Sequence, residues 1–566
     1  MEMPCEKPKK HFSRLILVSL RKLIEVLQDT ADRIEAYLGA AKEDTRDIMA
    51  RTIDRTYSIT EKIELTNFIK LLTFLMVVLS FITMFISGET LPRVVLISEE
   101  VDFTVIILSF LLLIANIFYF AWQTLLVFQY RNFPLADDSR LPTCAVIVPA
   151  YNEGKHIAET LESILKSDYP ESKLEIIAVN DGSRDDTWYW MREAAEKSNG
   201  RIRTINLKKN GGKRNALYQG FTTATSEIVV TIDSDSIVLP DTLRQIVSPF
   251  LTDPKIGGVA GNIRVLNLDE GIIPKMLDVS FVFGFEFLRS AQSVIRSVLC
   301  TPGALSAYRR AAIMPHMDEW VHQMFMGTPA NIGEDRAITN ILIREGYGIV
   351  FQKDAVVFTV VPVTYKGLCK MLIRWGRSNV RENLAMCRFT FRRIDLEDED
   401  LLGLQINLVI QAIWMITPIL FLGTTIYCLF VDAMTFIYSV LMVIIIWSTL
   451  PAFVYASRYD KTESLWSYIY GIFNFLTLSW IGPYSVFTVH RSGWLTRDLP
   501  KTASPSSPSS PASSSSPEEK EAQSGNGSDD GQKAVFPSSA GTPPTEALSA
   551  SAAILSSASG HANGVK

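Results

Sequence analysis

Long apolar runs on both sides of a polar middle constrain this 566-residue chain more than any other feature. Residues 68–87 and 103–128 are nearly free of charge, and residues 404–430, 436–456 and 465–489 form three further apolar runs. A helix needs about 20 apolar residues to cross a bilayer, and each run is about that long. We therefore predict an integral membrane protein; the alternative for a single run is a buried core helix.

The charges that flank these runs predict the orientation of the chain. Residues 88–102 contain four acidic residues and one arginine, whereas residues 374–393 contain six arginines. Because basic loops stay on the cytoplasmic side, we predict a multi-pass protein of the plasma (inner) membrane whose polar middle is cytoplasmic. Three later spans would put Arg491, Arg497 and Lys501 outside, so we favour a re-entrant or interfacial C-terminal segment; an external tail is the alternative.

Changes in composition along the chain divide it into six predicted segments. The amphipathic spacing near the N-terminus fits a helix on the membrane or a solvated regulatory or oligomerising helix, and the Ser/Pro-rich end lacks the apolar residues needed for a core. The predicted segments are 1–65 (cytoplasmic amphipathic helix), 66–130 (two transmembrane helices), 131–365 (α/β domain), 366–403 (interfacial helices), 404–497 (transmembrane bundle) and 498–566 (disordered tail).

Charge and cysteine content exclude some classes of function. The net charge of −5, with no long basic face, argues against a nucleic-acid binder. The six cysteines are scattered and form no CxxC motif, so neither a disulfide framework nor a zinc site is indicated.

Four short apolar segments in the polar middle are typical of strands. They are "CAVIVPAYNEG", "LEIIAVNDGS", "IRTINL" and "EIVVTIDSDS", and helical patterns such as residues 156–166 separate them. This alternation predicts a parallel α/β sheet of the Rossmann type, in which ligands bind at the carboxyl ends of the strands.

The stretch "VVTIDSDSIVLPD", residues 229–241, places Asp233 and Asp235 two positions apart. On a strand Ser234 would point to the opposite face, leaving both carboxylates able to reach one ion. Oxygen ligands suit Mg²⁺ or Mn²⁺, with coordination positions left for phosphate. A solvated acidic turn is the alternative for this motif in isolation.

Other segments carry residues suited to a nucleotide. "VPAYNEG" presents Tyr151 and Glu153, and "VNDGSRDDT" presents Asp181 beside a glycine that permits close approach of a ligand. "KKNGGKRNAL" places Lys213 at a probable helix start, where a phosphate would bind, although the spacing is not that of a P-loop. Ordinary turns, or a solvated basic turn, are the alternatives.

Two downstream motifs carry residues suited to group transfer. "NIGEDRAITN" places Glu334 and Asp335 at a helix start, as a helix cap or as a general base for an acceptor hydroxyl. "LIRWGRSNVRE" adds Arg374, a cation for a leaving diphosphate, and Trp375, a flat face for a sugar. A Trp-Arg pair at a membrane interface would look similar.

Taken in order, these motifs resemble the processive family 2 glycosyltransferases, which include hyaluronan, chitin and cellulose synthases. The resemblance covers about residues 144–382 and extends through the flanking spans to about residue 497. It implies a GT-A-type catalytic domain inserted between transmembrane helices. Local features look closest to hyaluronan synthases and the chitin-oligosaccharide synthases of nodulating bacteria. The motifs that carry the match are "VPAYNE", "VNDGS", "GGKRNAL", "DSDS", "GED", "IRW", "CTPGALSAYRR", "RWGRSNVRE" and "GWLTR".

The resemblance implies a role for each matching residue. The implied donor ligands are Tyr151, Glu153 and Asp181 for uridine, Lys213 for the nucleotide side, Asp233 for nucleotide or metal, Asp235 for metal, and Trp494, Thr496 and Arg497 near the nucleotide. The implied catalytic and acceptor residues are Asp335 as base, with Glu334 beside it, Arg374 and Trp375 at diphosphate and acceptor, and Cys300 and Gly303 in the acceptor site. Met371 and Leu495 depart from the family pattern, which expects Gln and Gly there, and both departures bear on sugar specificity.

The sequence therefore predicts a membrane-embedded inverting enzyme that polymerises UDP-sugars with Mg²⁺ or Mn²⁺ and exports the product across the lipid bilayer. UDP-GlcNAc, with or without UDP-GlcUA, is the expected donor, and a growing polysaccharide the acceptor. A chitin-like or cellulose-like synthase, a non-processive transferase acting on a lipid, and an inactive membrane scaffold or transporter are the alternatives. The sequence does not fix the donor or the oligomeric state.

Overall fold

The structure is a computed structural model that describes residues 103–392, 398–420, 430, 433–459 and 462–491. Three predicted features lie outside the described residues: the amphipathic helix within 1–65, the apolar run 68–87 and the tail 498–566.

Ten strands form the sheets of the polar middle, and all four segments predicted as strands are among them. In chain order, β1 to β10 are Cys144–Ala150, Leu174–Asn180, Ile202–Asn206, Ile228–Ile232, Ser236–Val238, Ile256–Val265, Leu305–Arg309, Met324–Phe325, Thr328–Pro329 and Gly348–Thr359. Strands β8 and β9 pair only with each other, as a small hairpin.

Eight of these strands form one sheet in the order β3-β2-β1-β4-β7-β6-β10-β5. The half from β3 to β4 is parallel, which confirms the predicted arrangement there. The predicted parallel arrangement ends with these four strands. The sheet as a whole is mixed, because β7 runs antiparallel to both of its neighbours and β5 runs antiparallel to β10. The chain reverses through a tight turn between β4 and β5, so no helix separates these two strands.

Helices surround the sheet and extend beyond it. In chain order, α1 to α15 are Phe103–Gln129, His156–Leu165, Thr187–Lys197, Lys213–Thr223, Thr242–Val247, Ile272–Phe281, Leu288–Val294, Arg310–Ile313, Met317–Val321, Glu334–Arg344, Tyr365–Thr390, Glu399–Leu420, Ala433–Tyr459, Trp466–Phe473 and Ile481–Phe487. Wider π turns at Val282–Phe287 and Asn474–Leu478 follow α6 and α14, and short 3₁₀ turns lie at Glu171–Lys173, Ser248–Leu251, Leu268–Glu270, Met314–His316 and Thr462–Leu465.

Strand β1 is buried along its whole length, which explains its uninterrupted apolar sequence. Alternate side chains of a strand point to opposite faces. Val146 and Val148 therefore join the core on one face of the sheet, and Ala145 and Ile147 join the core on the other. The two cores hold the parallel strands in register, so that their carboxyl ends meet at one edge.

Among the described residues, two helices are long and apolar enough to cross a membrane. They are Asp400–Ile419 in α12 and Val440–Tyr459 in α13, which coincide with two of the predicted runs. The apolar helical stretch in α1, Ile114–Gln129, is shorter. These helices support attachment to a membrane. The number of membrane spans stays a prediction.

The last apolar run, residues 465–489, is not one helix. It breaks at Ser479 and Trp480, earlier than the predicted Gly482-Pro483, because a proline in the first helical turn removes no intrahelical hydrogen bond. Helix α15 instead packs closely against α11. A Cβ at Gly376 would lie 2.4 Å from the Oγ of Ser485.

We expect Gly220→Ala to destabilise the fold, since the added Cβ would lie 2.3 Å from Cγ2 of Ile147 in β1. Overpacking of this kind costs about 1–3 kcal/mol. Ile147→Ala alone removes buried methyl groups at a cost of about 2–5 kcal/mol, but it also removes the clashing atom. The free energy of unfolding of the double variant in detergent should thus exceed the value expected from adding the two losses.

Gly482→Ala is the control for this substitution, because nothing lies within 4 Å of its added Cβ. Strict additivity of Gly220→Ala and Ile147→Ala would contradict the predicted packing.

Candidate active site

Asp233 and Asp235 lie at the carboxyl end of β4, in the turn that leads into β5. The backbone N–H of Ser236 donates to the carbonyl of Asp233 at 3.2 Å. The prediction that the motif continues along a strand is therefore wrong. Ser234 instead donates through Oγ to Oε1 of Glu153 at 2.8 Å, which joins the ends of β1 and β4.

Asp181, at the end of β2, holds the glycine loop that precedes α4. Its two carboxylate oxygens accept from the backbone N–H groups of Gly211 and Gly212, each at 2.8 Å. Burial raises the pKa of Asp181 to about 6 even though both N–H groups favour the ionised form. The adjacent Gly182 is at φ +67°, and a Cβ there would lie 2.7 Å from the backbone of Asn210. Asp181 thereby fixes the position of Lys213.

Lys213 begins α4 and bridges two carboxylates from distant parts of the chain. Its Nζ lies 2.5 Å from Oδ1 of Asp233 and 3.1 Å from Oε1 of Glu334. Gly303 borders this bridge, where a Cβ would lie 2.6 Å from Nζ. The predicted nucleotide-side lysine, the Asp-x-Asp motif and the Gly-Glu-Asp motif therefore meet at one point.

Asp335 lies beside the bridge and faces residues 300–303, the Cys300 segment. Its Oδ2 accepts from the backbone N–H of Gly303 at 3.2 Å, and Sγ of Cys300 lies 3.7 Å from the same oxygen. Burial raises the pKa of Cys300 to about 12, which keeps the thiol protonated near neutral pH. Cys300 is therefore a neutral neighbour of the Asp335 carboxylate.

The two adjacent carboxylates have opposite pKa shifts. Burial raises the pKa of Asp335, and the neighbouring charge of Glu334 raises it further. Burial also acts on Glu334, but the Lys213 ammonium, together with Arg374, brings the pKa of Glu334 below its usual range. Glu334 is thus the ionised partner of Lys213, and Asp335 is the group better suited to take up a proton.

Helix α10, which starts with Glu334 and Asp335, is fastened to α11. Gly333, at φ +71°, allows this contact, since a Cβ there would lie 1.8 Å from Oγ of Ser378. Arg336 donates to Oδ1 of Asn379 at 2.5 Å and to Oδ1 of Asn383 at 2.7 Å. The helix with the predicted Arg-Trp motif therefore packs directly on the helix with the predicted base.

A cavity of about 400 Å³ connects these elements. Trp375 lines it and pairs with the ring of Phe281 at a centroid distance of 6.0 Å. Gln411 lines it as well, on α12, which is one of the two helices long and apolar enough to cross a membrane. The predicted site residues that line the cavity are Lys213, Asp233, Asp235, Cys300, Gly303, Glu334, Asp335, Arg374 and Trp375.

The remaining predicted residues lie elsewhere. Tyr151, Glu153 and Asp181 are at the neighbouring strand ends and do not line the cavity. Trp494, Thr496 and Arg497 lie outside the described residues. Sequence reasoning missed several other lining residues, among them Phe281, Phe285, Arg289, Gln292 and Gln411. The signal that could have pointed to Arg289 is a basic residue within the largely apolar stretch 276–299.

The acidic groups fit a divalent cation only if a bound substrate supplies further oxygen ligands. Within the described part of the chain, no three His, Cys, Asp or Glu side chains are grouped so as to hold a metal ion. Asp233 and Asp235 both line the cavity, and the hydrogen bonds from Ser236 and Thr359 to Asp235 are long, at 3.5 and 3.3 Å. One or two carboxylates completed by substrate phosphates are a usual Mg²⁺ site.

The domain that carries this site is similar in sequence to glycosyltransferases. Residues 145–315 match the family model described as Glycosyl transferase family 2. An N-acetylglucosaminyltransferase of Rhizobium meliloti (strain 1021) is 28% identical over 358 residues, which are 63% of this chain and 82% of that protein. A hyaluronan synthase of Streptococcus pyogenes is 32% identical over 245 residues, 42% of this chain and 58% of that protein.

Among solved structures, a mannosyltransferase of Pyrobaculum calidifontis in complex with GDP-Man and Mn²⁺ aligns at 22% identity. The alignment covers 64% of this chain and 98% of the mannosyltransferase, with a TM-score of 0.45.

We expect Gly333→Ala to abolish sugar transfer, because the Cβ clashes with Ser378 and would separate α10 from α11. Gly346→Ala is the matched control: it also has positive φ, at +81°, but nothing lies within 4 Å of its added Cβ. The control should lose about 1 kcal/mol of stability from backbone strain and keep its activity. Equal loss of transferase activity in both variants would show that strain, and not the α10–α11 contact, is responsible.

Proposed function

We propose that this chain, whose residues 145–315 form a family 2 glycosyltransferase domain, polymerises sugars from UDP-sugar donors at the inner face of a membrane. The product is a β-linked polysaccharide that the same protein exports, and a hyaluronan-like product fits best. The names of the two relatives support UDP-GlcNAc as one donor. A chitin-like or cellulose-like polymer and a single transfer to a lipid are the alternatives.

The observation that carries this proposal is the composition of the cavity. Its walls combine four carboxylates (Asp233, Asp235, Glu334 and Asp335), the Trp375 ring and Gln411 of α12. The cations Lys213 and Arg374, which also line the cavity, suit a nucleotide diphosphate, and the carboxylates suit the divalent cation that would accompany it. The aromatic face suits a sugar ring, and a wall formed by α12 suits passage of the product. A nucleotide-activated sugar that is added to an exported polymer would use all three features of this cavity.

The donor would bind at the carboxyl ends of β1, β2 and β4. Tyr151 and Glu153 would contact the uridine, and Asp181 would act there both directly and through the Gly211-Gly212 loop that it holds. Trp494, Thr496 and Arg497 would complete the nucleotide side.

The diphosphate would lie near Lys213. This lysine already offsets two carboxylates, so phosphate and cation are best bound together. Asp233 and Asp235 would hold Mg²⁺ or Mn²⁺, which, when bound, offsets the charge of the diphosphate leaving group.

Asp335 would remove the proton from the acceptor hydroxyl as that oxygen attacks the anomeric carbon. Attack from the face opposite the leaving diphosphate inverts the configuration and yields a β-linkage. The raised pKa of Asp335, caused by burial and by Glu334, suits a general base that works near neutral pH. Glu334, paired with Lys213, would stay ionised throughout.

Residues of α11 and the Cys300 segment would hold the remaining groups. Arg374 would stabilise the charge that develops on the diphosphate. Trp375, beside Phe281, would stack on the acceptor sugar, with Cys300 and Gly303 as the opposite wall. From there the polymer would pass Gln411 and enter the membrane-embedded part, because a polar chain cannot cross hydrocarbon unaided.

Purified full-length protein in nanodiscs should release UDP and incorporate label when given UDP-GlcNAc, UDP-GlcUA or UDP-Glc, alone and in pairs, with Mg²⁺ or Mn²⁺. Removing the metal with EDTA should abolish transfer, and adding it back should restore transfer. Product size on a gel separates a polymerase from a single-transfer enzyme. Absence of both incorporation and UDP release with every combination would refute the proposed function.

We expect Asp335→Asn to lower kcat by about 10²–10⁴-fold, the usual contribution of a general base, while UDP binding is retained. Asp269→Asn, at an exposed acidic residue in a turn outside the cavity lining, is the control and should behave as wild type. Titration with UDP by calorimetry checks that the variant is folded. Wild-type turnover by Asp335→Asn would remove this residue from the role of base.

A further inference from the structure

Five buried hydroxyl groups form a continuous chain of hydrogen bonds behind the wall of the cavity. Each of these side chains is at most 3% exposed, and none of them lines the cavity. The oxygen–oxygen distances along the chain are 2.8, 3.0, 2.8 and 2.8 Å. In order, this hydroxyl chain consists of Thr231 in β4, Ser306 and Tyr308 in β7, Thr301 in the Cys300 segment and Thr339 in α10.

The protons of the hydroxyl chain can point in one direction only. The backbone carbonyl of Asp335 can only accept, so Thr339 donates its single proton to that carbonyl, at 2.9 Å. Thr301 must then donate to Thr339, and Tyr308 must donate to Thr301, because each hydroxyl has one proton. By the same count, each remaining hydroxyl donates to the next one, starting from β4. The chain therefore ends at the main chain of the proposed base.

Thr339 binds the Cys300 segment through two hydrogen bonds. A helical threonine often donates to the carbonyl four residues before it. In addition, Oγ1 of Thr339 accepts from the backbone N–H of Thr301, at 3.1 Å, and from the Thr301 hydroxyl. Cys300 and Gly303, which contact the Asp335 carboxylate, belong to the same segment. The pairing of Thr301 with Thr339 therefore fixes how closely this segment approaches the start of α10.

The other end of the hydroxyl chain lies beside the Asp-x-Asp turn. Thr231 is two residues before Asp233, and it lies directly opposite Ser306 in the antiparallel pair of β4 and β7. In the same pair Leu305, the first residue of β7, lies opposite Ile232 at the end of β4. The Cys300 segment precedes β7, so it reaches the same edge of the sheet. The hydroxyl chain thus joins the strand that leads into the Asp-x-Asp turn to α10.

We propose that Thr301, Thr339 and Tyr308 are positioning residues, which hold the Asp335 carboxylate against the Cys300 segment in the place that sugar transfer requires. This inference rests on the proposed function and on the role of Asp335 as base. None of the three lines the cavity, so each would act through Asp335 and not by contact with a substrate. A base must lie within hydrogen-bonding distance of the acceptor hydroxyl, and a displacement of about 1 Å can lower the rate about a hundredfold.

We expect Thr339→Val, which keeps the shape of the side chain but removes the hydroxyl, to lower kcat by about ten- to a hundredfold. KM for UDP-GlcNAc and the affinity for UDP should stay within about twofold of wild type, because no residue proposed to contact uridine belongs to the hydroxyl chain. Thr339→Ser restores the hydroxyl and should recover most of the lost kcat. Rates of UDP release by full-length protein in nanodiscs give kcat and KM, and calorimetry gives the affinity for UDP.

Thr242→Val is the matched control for Thr339→Val. Thr242 is also fully buried, accepts from the backbone N–H of Leu239 at 2.9 Å and donates to the carbonyl of Val356 at 2.6 Å. It lies outside the cavity lining. The control should lose thermal stability as Thr339→Val does and keep its kcat. An equal loss of kcat in both variants would show that lower stability is responsible, and would overturn the proposal.

A wild-type kcat in Thr339→Val, or a Thr339→Ser variant no more active than Thr339→Val, also overturns the proposal. Should Thr339→Val fail to fold, Tyr308→Phe takes its place. This change removes one donor from the middle of the chain and should lower kcat by about two- to tenfold, as loss of one hydrogen bond predicts. A wild-type kcat in Tyr308→Phe would then overturn the proposal.

These results would leave the proposed function standing, because the wild-type protein would still transfer sugar. Failure of the wild type to use any donor would instead refute the proposed function itself.

Discussion

An ammonium group shared by two carboxylates holds this site together. Lys213, Asp233 and Glu334 come from α4, the end of β4 and the start of α10, which are far apart in the chain. Each of these groups would be costly to bury alone, and each compensates another only in the folded arrangement. The bridge therefore sets the relative positions of the start of α4, the Asp-x-Asp turn and Asp335. It also gives the two adjacent acidic residues opposite pKa shifts. Lys213 favours the ionised form of Glu334, whereas burial raises the pKa of Asp335.

Backbone positions without side chains make the bridge possible. Gly303 approaches Lys213 so closely that any Cβ would lie 2.6 Å from Nζ, and Gly333 meets Ser378 more closely still. Each glycine brings a loop against a charged or polar group and thereby places Asp335 between the Cys300 segment and α11. The part of the cavity around Asp335 is thus shaped by how closely these two backbone positions approach neighbouring side chains. Residues that carry no chemistry of their own determine where the reactive groups lie.

The sequence predicted the parts of the site that are local in the chain. Apolar strands followed by Glu153, Asp181 and Asp233 were enough to place those groups at one edge, because parallel strands end together. The sequence did not predict that Asp233 and Asp235 lie in a turn, or that β7 and β5 reverse direction, because both depend on pairing with strands much later in the chain. It also missed Arg289, because no motif marks this residue and its place on the cavity wall follows from the packing of α7. Motif spacing does not contain that information, whereas burial and hydrogen bonding do.

Polar side chains on α12 connect the site to the helices that are predicted to lie in the membrane. Asn407 accepts hydrogen bonds from Tyr119 and Gln123 of α1, and Gln411 accepts one from Asn383 of α11. Polar groups on a membrane-spanning helix are costly against lipid, so they face protein or a polar path. Gln411 faces both, since it also lines the cavity. Arg336, next to the proposed base, donates to Asn383, so a continuous series of hydrogen bonds runs from α10 through α11 to α12. A helix fixed in this way cannot shift far without disturbing the neighbour of Asp335. One set of contacts therefore holds both Gln411, on the wall along which the product would leave, and the helix that carries Asp335, which would start the next transfer.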